Sequence, residues 1–208
     1  MNCLAFFDPH AGSNSGKISG VVEFHSCSSN RETLVRFRLR GFPAKSTRGI
    51  HVHEWGDLTQ GCTSACAHFN PAKTLHGSKQ LFDDSRHVGD LCNNITADEK
   101  GEVNFCYFDD LIELTGLRSI VGRMVVIHAG TDDLGSYRLQ TDTIRGAESG
   151  KTGNAGARIA CAVIGLTNRD LHPSNEEIEQ AREYQEWTNR VFDDAKILPN
   201  GQVVSEDD

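Results

Sequence analysis

Positive charge is in short supply in this 208-residue chain. Its 21 lysines and arginines face 29 aspartates and glutamates, a formal net charge of −8. That deficit argues against a nucleic-acid partner, which calls for a basic face. No apolar run approaches the length of a membrane span, so no membrane partner is expected. The start, MNCLAFFDPHAG, has neither the basic nor the apolar region of a secretory signal, and a cytoplasmic location is the expectation. Aromatics are sparse at 7% and apolar residues reach only 38%, which is modest but enough for one ordinary domain with a core and an appendage. Internal repeats, low-complexity segments and Cys-x-x-Cys pairs are all missing. The seven cysteines are an odd number. At least one is therefore unpaired within a monomer, and in a reducing compartment most stay thiols.

What the chain does have is glycine, 20 residues of it, as loop-rich β proteins need for turns at positive φ. Ile18 to Phe24 and Leu34 to Arg40 alternate in the manner of half-buried antiparallel strands, with a polar turn from His25 to Arg31 between them. Gly49–Trp55, 102–108, Val121–His128 and Arg158–Leu166 read as further strands. Two long segments, Gly56 to about Cys92 and Ala129–Ala157, lack periodicity. Loops of that length are usually functional or tied down. The body is all-β: a Greek-key sandwich or barrel of about eight antiparallel strands with two long functional loops. Beyond it, Ser174-Asn-Glu-Glu177 forms a capping box. Ile178, Ala181, Tyr184, Thr188 and Val191 follow at helical spacing, predicting a helix over about Asn175 to Ala195 and then an acidic tail. The boundaries expected are 1–167 for the β domain and 168–208 for the helical extension.

Six of the nine histidines fall in contexts suited to metal binding. His51 and His53 share one face of a strand because side chains alternate, and His128 ends another strand. His68, His76, His87 and Asp90 lie in one long loop. Three nitrogens and a carboxylate suit tetrahedral zinc, whereas three or four imidazoles in a flatter set suit copper. A single imidazole has two ring nitrogens, so one residue can join both metals.

The segments carrying these residues resemble the copper/zinc superoxide dismutases. The matching text runs from roughly Gly16 to Leu166. It includes His51-Val-His-Glu-Trp-Gly-Asp57, Gly61-Cys-Thr-Ser64, His68-Phe-Asn-Pro71, Arg86-His-Val-Gly-Asp-Leu91, Asp132-Asp-Leu-Gly135 and Gly150-Lys-Thr-Gly-Asn-Ala-Gly-Ala-Arg-Ile-Ala-Cys161. The resemblance implies copper ligands His51, His53, His68 and His128, and zinc ligands His68, His76, His87 and Asp90, with His68 bridging. It implies that Asp132 orients His51 and His76, that Arg158 guides the anion and that Glu148, Lys151 and Thr152 belong to an electrostatic loop. Cys62 and Cys161 are the implied disulfide. The implied activity converts two superoxide anions to oxygen and hydrogen peroxide by alternate reduction and reoxidation of copper, with His68 carrying a proton. A homodimer is implied through Val121, Gly122, Val163 and Leu166.

The chain departs from the family pattern in several places. The interval from His76 to His87 is two residues longer than usual, which makes His87 the least secure ligand. Cys66-Ala67 replaces Gly-Pro, and Cys92 stands at a usual glycine, so a second disulfide between Cys66 and Cys92 is an option. The second loop is longer than usual and has Ala147 in place of an acidic residue. The terminal helix has no ordinary counterpart and is expected to cover an apolar edge. The alternative function is a catalytically silent, dismutase-like metal-binding or copper-delivery module.

Overall fold

A computed structural model describes the chain except for residues 13, 15–16, 28–31, 83–84, 194–195, 198–202 and 205–208. Its strands are β1 (Asn2–Phe7), β2 (Ser19–Ser26), β3 (Thr33–Arg40), β4 (Thr47–His53), β5 (Thr59–Cys62), β6 (Asn94–Thr96), β7 (Glu102–Asp109), β8 (Met124–His128) and β9 (Arg158–Leu166). All but β5 join one antiparallel sheet in the order β6-β4-β8-β9-β1-β2-β3-β7, which curls into a nearly closed barrel. The chain runs β1–β2–β3 as a meander, crosses the barrel end to β4, and returns from β6 to β7 beside β3, a Greek-key path.

Period-two patterning explains which residues fill the barrel. On β2 and β3, Val22 pairs with Phe37 and Phe24 with Val35, and all four are fully buried in the main core. Burying a side chain such as Phe37 contributes about 1.5–3 kcal/mol. The intervening residues of β3, Leu34 and Arg36, point outward. Both are nonetheless buried, because the extension lies over them.

That extension is helix α3 (Asn175–Asp193). Its start is the expected capping box: the Glu177 amide donates to Ser174 Oγ and the Ser174 amide to the Glu177 carboxylate. Ile178 and Ala181 pack on Leu34, Cys106 and Phe108, on the outer face of β3 and β7. Tyr184 reaches round the edge of β7, its ring 5.3 Å from that of Phe105 and 5.9 Å from that of Tyr107. Arg36, buried beneath, pairs with Glu23 at 3.0 Å and with Glu177 at 2.7 Å. The helix thus covers an apolar edge beside the seam between β7 and β6. Its expected end at Ala195 and most of the tail lie outside the described residues; within the tail, β10 (Lys196–Ile197) pairs with β11 (Val203–Val204).

Three expectations need correction. The strand expected from Val121 begins at Met124, because residues 121–123 are a turn in which Gly122 has φ +79°. The strand expected over Gly49–Trp55 runs from Thr47 to His53. The second long loop contains a helix, α2 (Ile144–Thr152), with Thr143 accepting from the Gly146 amide at its start and Gly153 in the left-handed conformation at its end. Gly146 and Gly150 lower helix propensity by about 1 kcal/mol each, which hides α2 from a reading of periodicity. A short helix, α1 (Lys79–Phe82), takes up part of the long His76–His87 interval.

Candidate metal centre

β4 places His51 and His53 two residues apart on one face, and β8 pairs alongside, setting His51 opposite Val126 and His53 opposite Met124. His128 ends β8, where a bulge sets it opposite Arg158 of β9. The first loop returns to β4 through a backbone bridge between His53 and His68. It is held there by Phe69 N–H to Val52 O and Glu54 N–H to Ala67 O. The sheet therefore brings four histidines together although 77 positions separate the first from the last. All four are at most 4% exposed.

Their hydrogen bonds determine which nitrogens stay free. His53 donates from Nδ1 to the Cys66 carbonyl at 2.8 Å, and His128 from Nδ1 to the Gly156 carbonyl at 3.0 Å. Both Nε2 atoms then carry lone pairs, yet they face each other at 3.3 Å. His51 donates from Nε2 to Asp132 at 2.6 Å, leaving Nδ1 buried with no partner among the described residues. His68 Nε2 is likewise buried and without a partner. Four lone pairs turned into one buried pocket repel one another unless a cation sits among them, because buried polar groups otherwise find donors.

The second group converges on one oxygen. His68 Nδ1, His76 Nδ1 and His87 Nδ1 lie 3.0, 2.9 and 3.1 Å from Asp90 Oδ1. A tetrahedral zinc with bonds of about 2.0–2.1 Å sets its donors roughly 3.3 Å apart, close to these separations. Asp90 is kept in place by its other oxygen, which accepts from the amides of His87 at 2.9 Å and Gly77 at 3.2 Å. His87, expected to be the least secure of the set, is 4% exposed and reaches the same carboxylate as the others. His68 is common to both groups.

Asp132 joins the two halves: Oδ2 accepts from His51, and Oδ1 lies 3.0 Å from His76 Nε2. Gly153 approaches so closely that a Cβ there would overlap the Asp132 carboxylate and the His76 ring. Electrostatics without metal follow from burial. Burial, reinforced by the neighbouring rings, pushes His53 and His68 far below the ordinary 6.5 and His128 down to about 4. Those rings are thus neutral, the state that binds metal. Burial also opposes charge on His76, but Asp90 and Asp132 prevail and push it up to about 10. His76 in turn holds both carboxyls well below their usual range against the cost of burial.

Cys62 and Cys161 form a disulfide that ties β5 to β9. Cys66 and Cys92 are free thiols, which overturns the optional second bridge: Cys66 is exposed beside His53, which donates to its carbonyl, and Cys92 turns toward α3, where it lines a cavity with Tyr184. Arg158 lies at the rim. Its Nη1 donates to the carbonyls of Cys62 at 2.6 Å and Thr63 at 3.1 Å, and its Nη2 to that of Cys66. Glu148, Lys151 and Thr152 all sit on α2. Lys151 is exposed and pairs with Glu148 at 3.7 Å, and Thr152 donates to the Glu148 carbonyl.

Comparison with known proteins identifies the fold and the chemistry together. The family model for copper/zinc superoxide dismutase matches residues 18–164. The chain belongs to the copper/zinc superoxide dismutase family. The dismutase converts two superoxide anions to oxygen and hydrogen peroxide, and its cofactors are copper and zinc. The superoxide dismutase of Saccharomyces cerevisiae is 50% identical over 151 residues, covering 73% of this chain and 92% of that one. The superoxide dismutase of Paramecium bursaria Chlorella virus 1 is 48% identical over 156 residues, covering 75% of this chain and 77% of that one. Among solved structures, that of the clock protein EA4 superposes with a TM-score of 0.67 at 36% identity, covering 80% of this chain and 94% of that one. The relatives named as the enzyme lend no support to a silent or copper-delivery module.

Several residues of this dismutase's site went unread in the sequence. Asn93 and Asn94 hold Asp132: the Asn94 side chain exchanges hydrogen bonds of 2.9 Å with the Asp132 backbone, and Asn93 donates to Oδ2 at 3.3 Å. Arg138 donates to the carbonyls of His76 at 3.2 Å and Ser85 at 2.9 Å, pinning the first loop from the second. An arginine or asparagine in a loop has no periodicity to single it out; only its packed surroundings reveal the role.

Proposed function

We propose that His51, His53, His68 and His128 hold the copper of this enzyme, that His68, His76, His87 and Asp90 hold its zinc, and that His68 serves both. The observation that carries this reading is the set of buried lone pairs on the copper side, above all the facing Nε2 atoms of His53 and His128 at 3.3 Å. Copper, when bound, supplies the one-electron redox chemistry of dismutation, whereas zinc has none. The chain's own residues do the rest. Asp132 fixes the tautomers of His51 and His76, as outer carboxylates do for metal-bound histidines. His68 directs Nδ1 toward Asp90, and its Nε2 is the atom at which a proton is held or released beside the copper pocket. Arg158, seated by three carbonyls, presents a permanent positive charge to an incoming anion. Glu148, Lys151 and Thr152 shape the approach, with Lys151 countering part of the repulsion that a net charge of −8 exerts on superoxide.

Residues 168–208 are an appendage to a domain spanning 1–167. Trp55, Leu58 and Leu166 are exposed apolar side chains near the glycine contact of Gly56 with Gly122; with Val121 and Val163 they form the homodimer face. Five free thiols beside a single disulfide fit the reducing cytoplasm. Metal analysis with a superoxide-decay assay tests the reading. One copper and one zinc per chain with rapid decay is expected; zinc alone with no decay would overturn it.

A further inference from the structure

We propose that α3 acts as a clasp on the zinc loop, with Tyr184 and Thr188 as positioning residues that seal the Arg86–Asp109 ion pair and through it fix His87. The inference rests on the assignment of His68, His76, His87 and Asp90 to zinc. Arg86 directly precedes His87, and its Nη2 lies 3.2 Å from both Asp109 oxygens, with both side chains 1% exposed. Asp109 belongs to the barrel: it accepts from the amides of Leu111 and Ile112 and from the Tyr107 hydroxyl. Arg86 belongs to the loop: its carbonyl accepts from Thr74 Oγ1 at 2.9 Å, and the Thr74 carbonyl accepts from His87 Nε2 at 3.2 Å. The pair is therefore the buried tie between the zinc loop and the end of β7, beside the more exposed contacts of Lys79 at 2.7 Å and Arg86 at 3.4 Å with Asp110.

The outer wall of that tie is α3. A cavity of about 20 Å³, room for a single water, is lined by Arg86, Cys92, Asp109, Tyr184 and Thr188 together with Lys79 of α1. Arg86 Nη1 is buried there with no partner among the described residues. Three departures from the family pattern thus meet in one place: the long His76–His87 interval that contains α1, Cys92, and the extension. The two halves of α3 differ in what they cover. Ile178 and Ala181 rest on β3 and β7, whereas Tyr184 and Thr188 wall the Arg86–Asp109 pair. Shielding from bulk solvent keeps that pair strong, because attraction between charges weakens as the surroundings become more polar. Opening the wall to solvent loosens Arg86, and with it the backbone that carries His87.

Coupling between docking and metal is reciprocal: if α3 strengthens zinc binding, zinc strengthens the docking of α3 by the same factor. Adding zinc to the metal-free wild-type chain is therefore expected to slow amide exchange across Ala181–Thr188; exchange unaltered by zinc overturns the proposal. In the full-length holoenzyme, Tyr184→Ala and Thr188→Lys are expected to lose zinc to a chelator about tenfold faster, the lower range for outer partners of metal ligands. Copper loss stays unchanged, and Tyr184→Phe behaves as wild type because it keeps the ring. Zinc loss at the wild-type rate in both variants, or equal acceleration of zinc and copper, overturns the proposal. Should neither variant fold, the exchange measurement on the wild-type chain decides. A stoichiometric zinc retained by Asp90→Asn would instead remove the ligand assignment on which the clasp depends.

Discussion

Arg158 shows how much a single side chain depends on its seat. It stands opposite His128 in the β8–β9 register, and three carbonyls of the 62–66 segment hold its guanidinium. Arg158→Ala is expected to lower the rate of superoxide decay by about tenfold or more, in the range of electrostatic steering, while copper content stays the same. The remaining rate should depend less on salt than that of the wild type, since screening acts on the charge removed. Titration makes a second prediction at this scale, for the metal-free protein. His128, lowered to about 4 with His53 and His68 lower than the ordinary 6.5, contributes stability that is present above pH 6.5 and lost as pH falls toward 4. Asp90 and Asp132, held below 3.8, extend the loss further into acid. His76, raised to about 10, contributes stability that is complete below 6.5 and lost as pH rises through 10. The melting temperature of chelator-stripped protein should therefore peak near pH 6.5 and fall on both sides. A profile flat from pH 4 to 10 in scanning calorimetry would contradict these environments.

Between elements, the disulfide does what the sheet leaves undone. β5 stands outside the eight-stranded sheet, and the Cys62–Cys161 bond ties it to β9 across a sequence separation of 99. Closing a loop of that size is worth about 4–5 kcal/mol in the chain-entropy account. Cys62→Ser is expected to lower the melting temperature by roughly 10–15 °C, at about 2–4 °C per kcal/mol for a chain of this length. It also frees the Cys62 carbonyl from its place under Arg158, so activity should fall further than the melting curve alone implies at temperatures where the variant is folded. Steady-state rates at 15 °C alongside thermal unfolding check both halves. A fall in stability with unchanged rates would show that the loop holds its shape without the bond.

For the whole molecule, α3 and the apolar face proposed for a homodimer use different parts of the barrel. α3 covers β3 and β7, whereas Leu166 lies on β9, with β1 and β2 between β9 and β3 in the sheet. α3 thus leaves Trp55, Leu58 and Leu166 open. Light scattering should give twice the 22.9 kDa of one chain, and Leu166→Lys should shift the mass toward the monomer, since a charge buried in an apolar contact costs more than the contact returns. Wild-type protein that scatters as a monomer at micromolar concentration would remove the proposal.

Residue type and spacing alone determined the all-β class, the terminal helix with its Ser174–Glu177 cap, and the six histidines with Asp90, because alternation, helical period and metal-ligand chemistry are local properties written along the chain. What those signals do not encode is which nitrogen of each ring stays free. That depends on the Cys66 and Gly156 carbonyls and on Asp132, which reach the rings only after β4, β8 and both loops have packed. Helix α2 was hidden for the same reason, since Gly146 within it is required by a close contact with the Gln140 backbone, and Gly153 at its end by one with Asp132, rather than by the helix itself. The tertiary structure also decided that Cys66 and Cys92 remain thiols, that Arg36 is buried with two carboxylates, and that α3 lies beside the loop that carries His76 and His87. Each of these is a matter of distance between residues far apart in sequence, set by how the barrel closes.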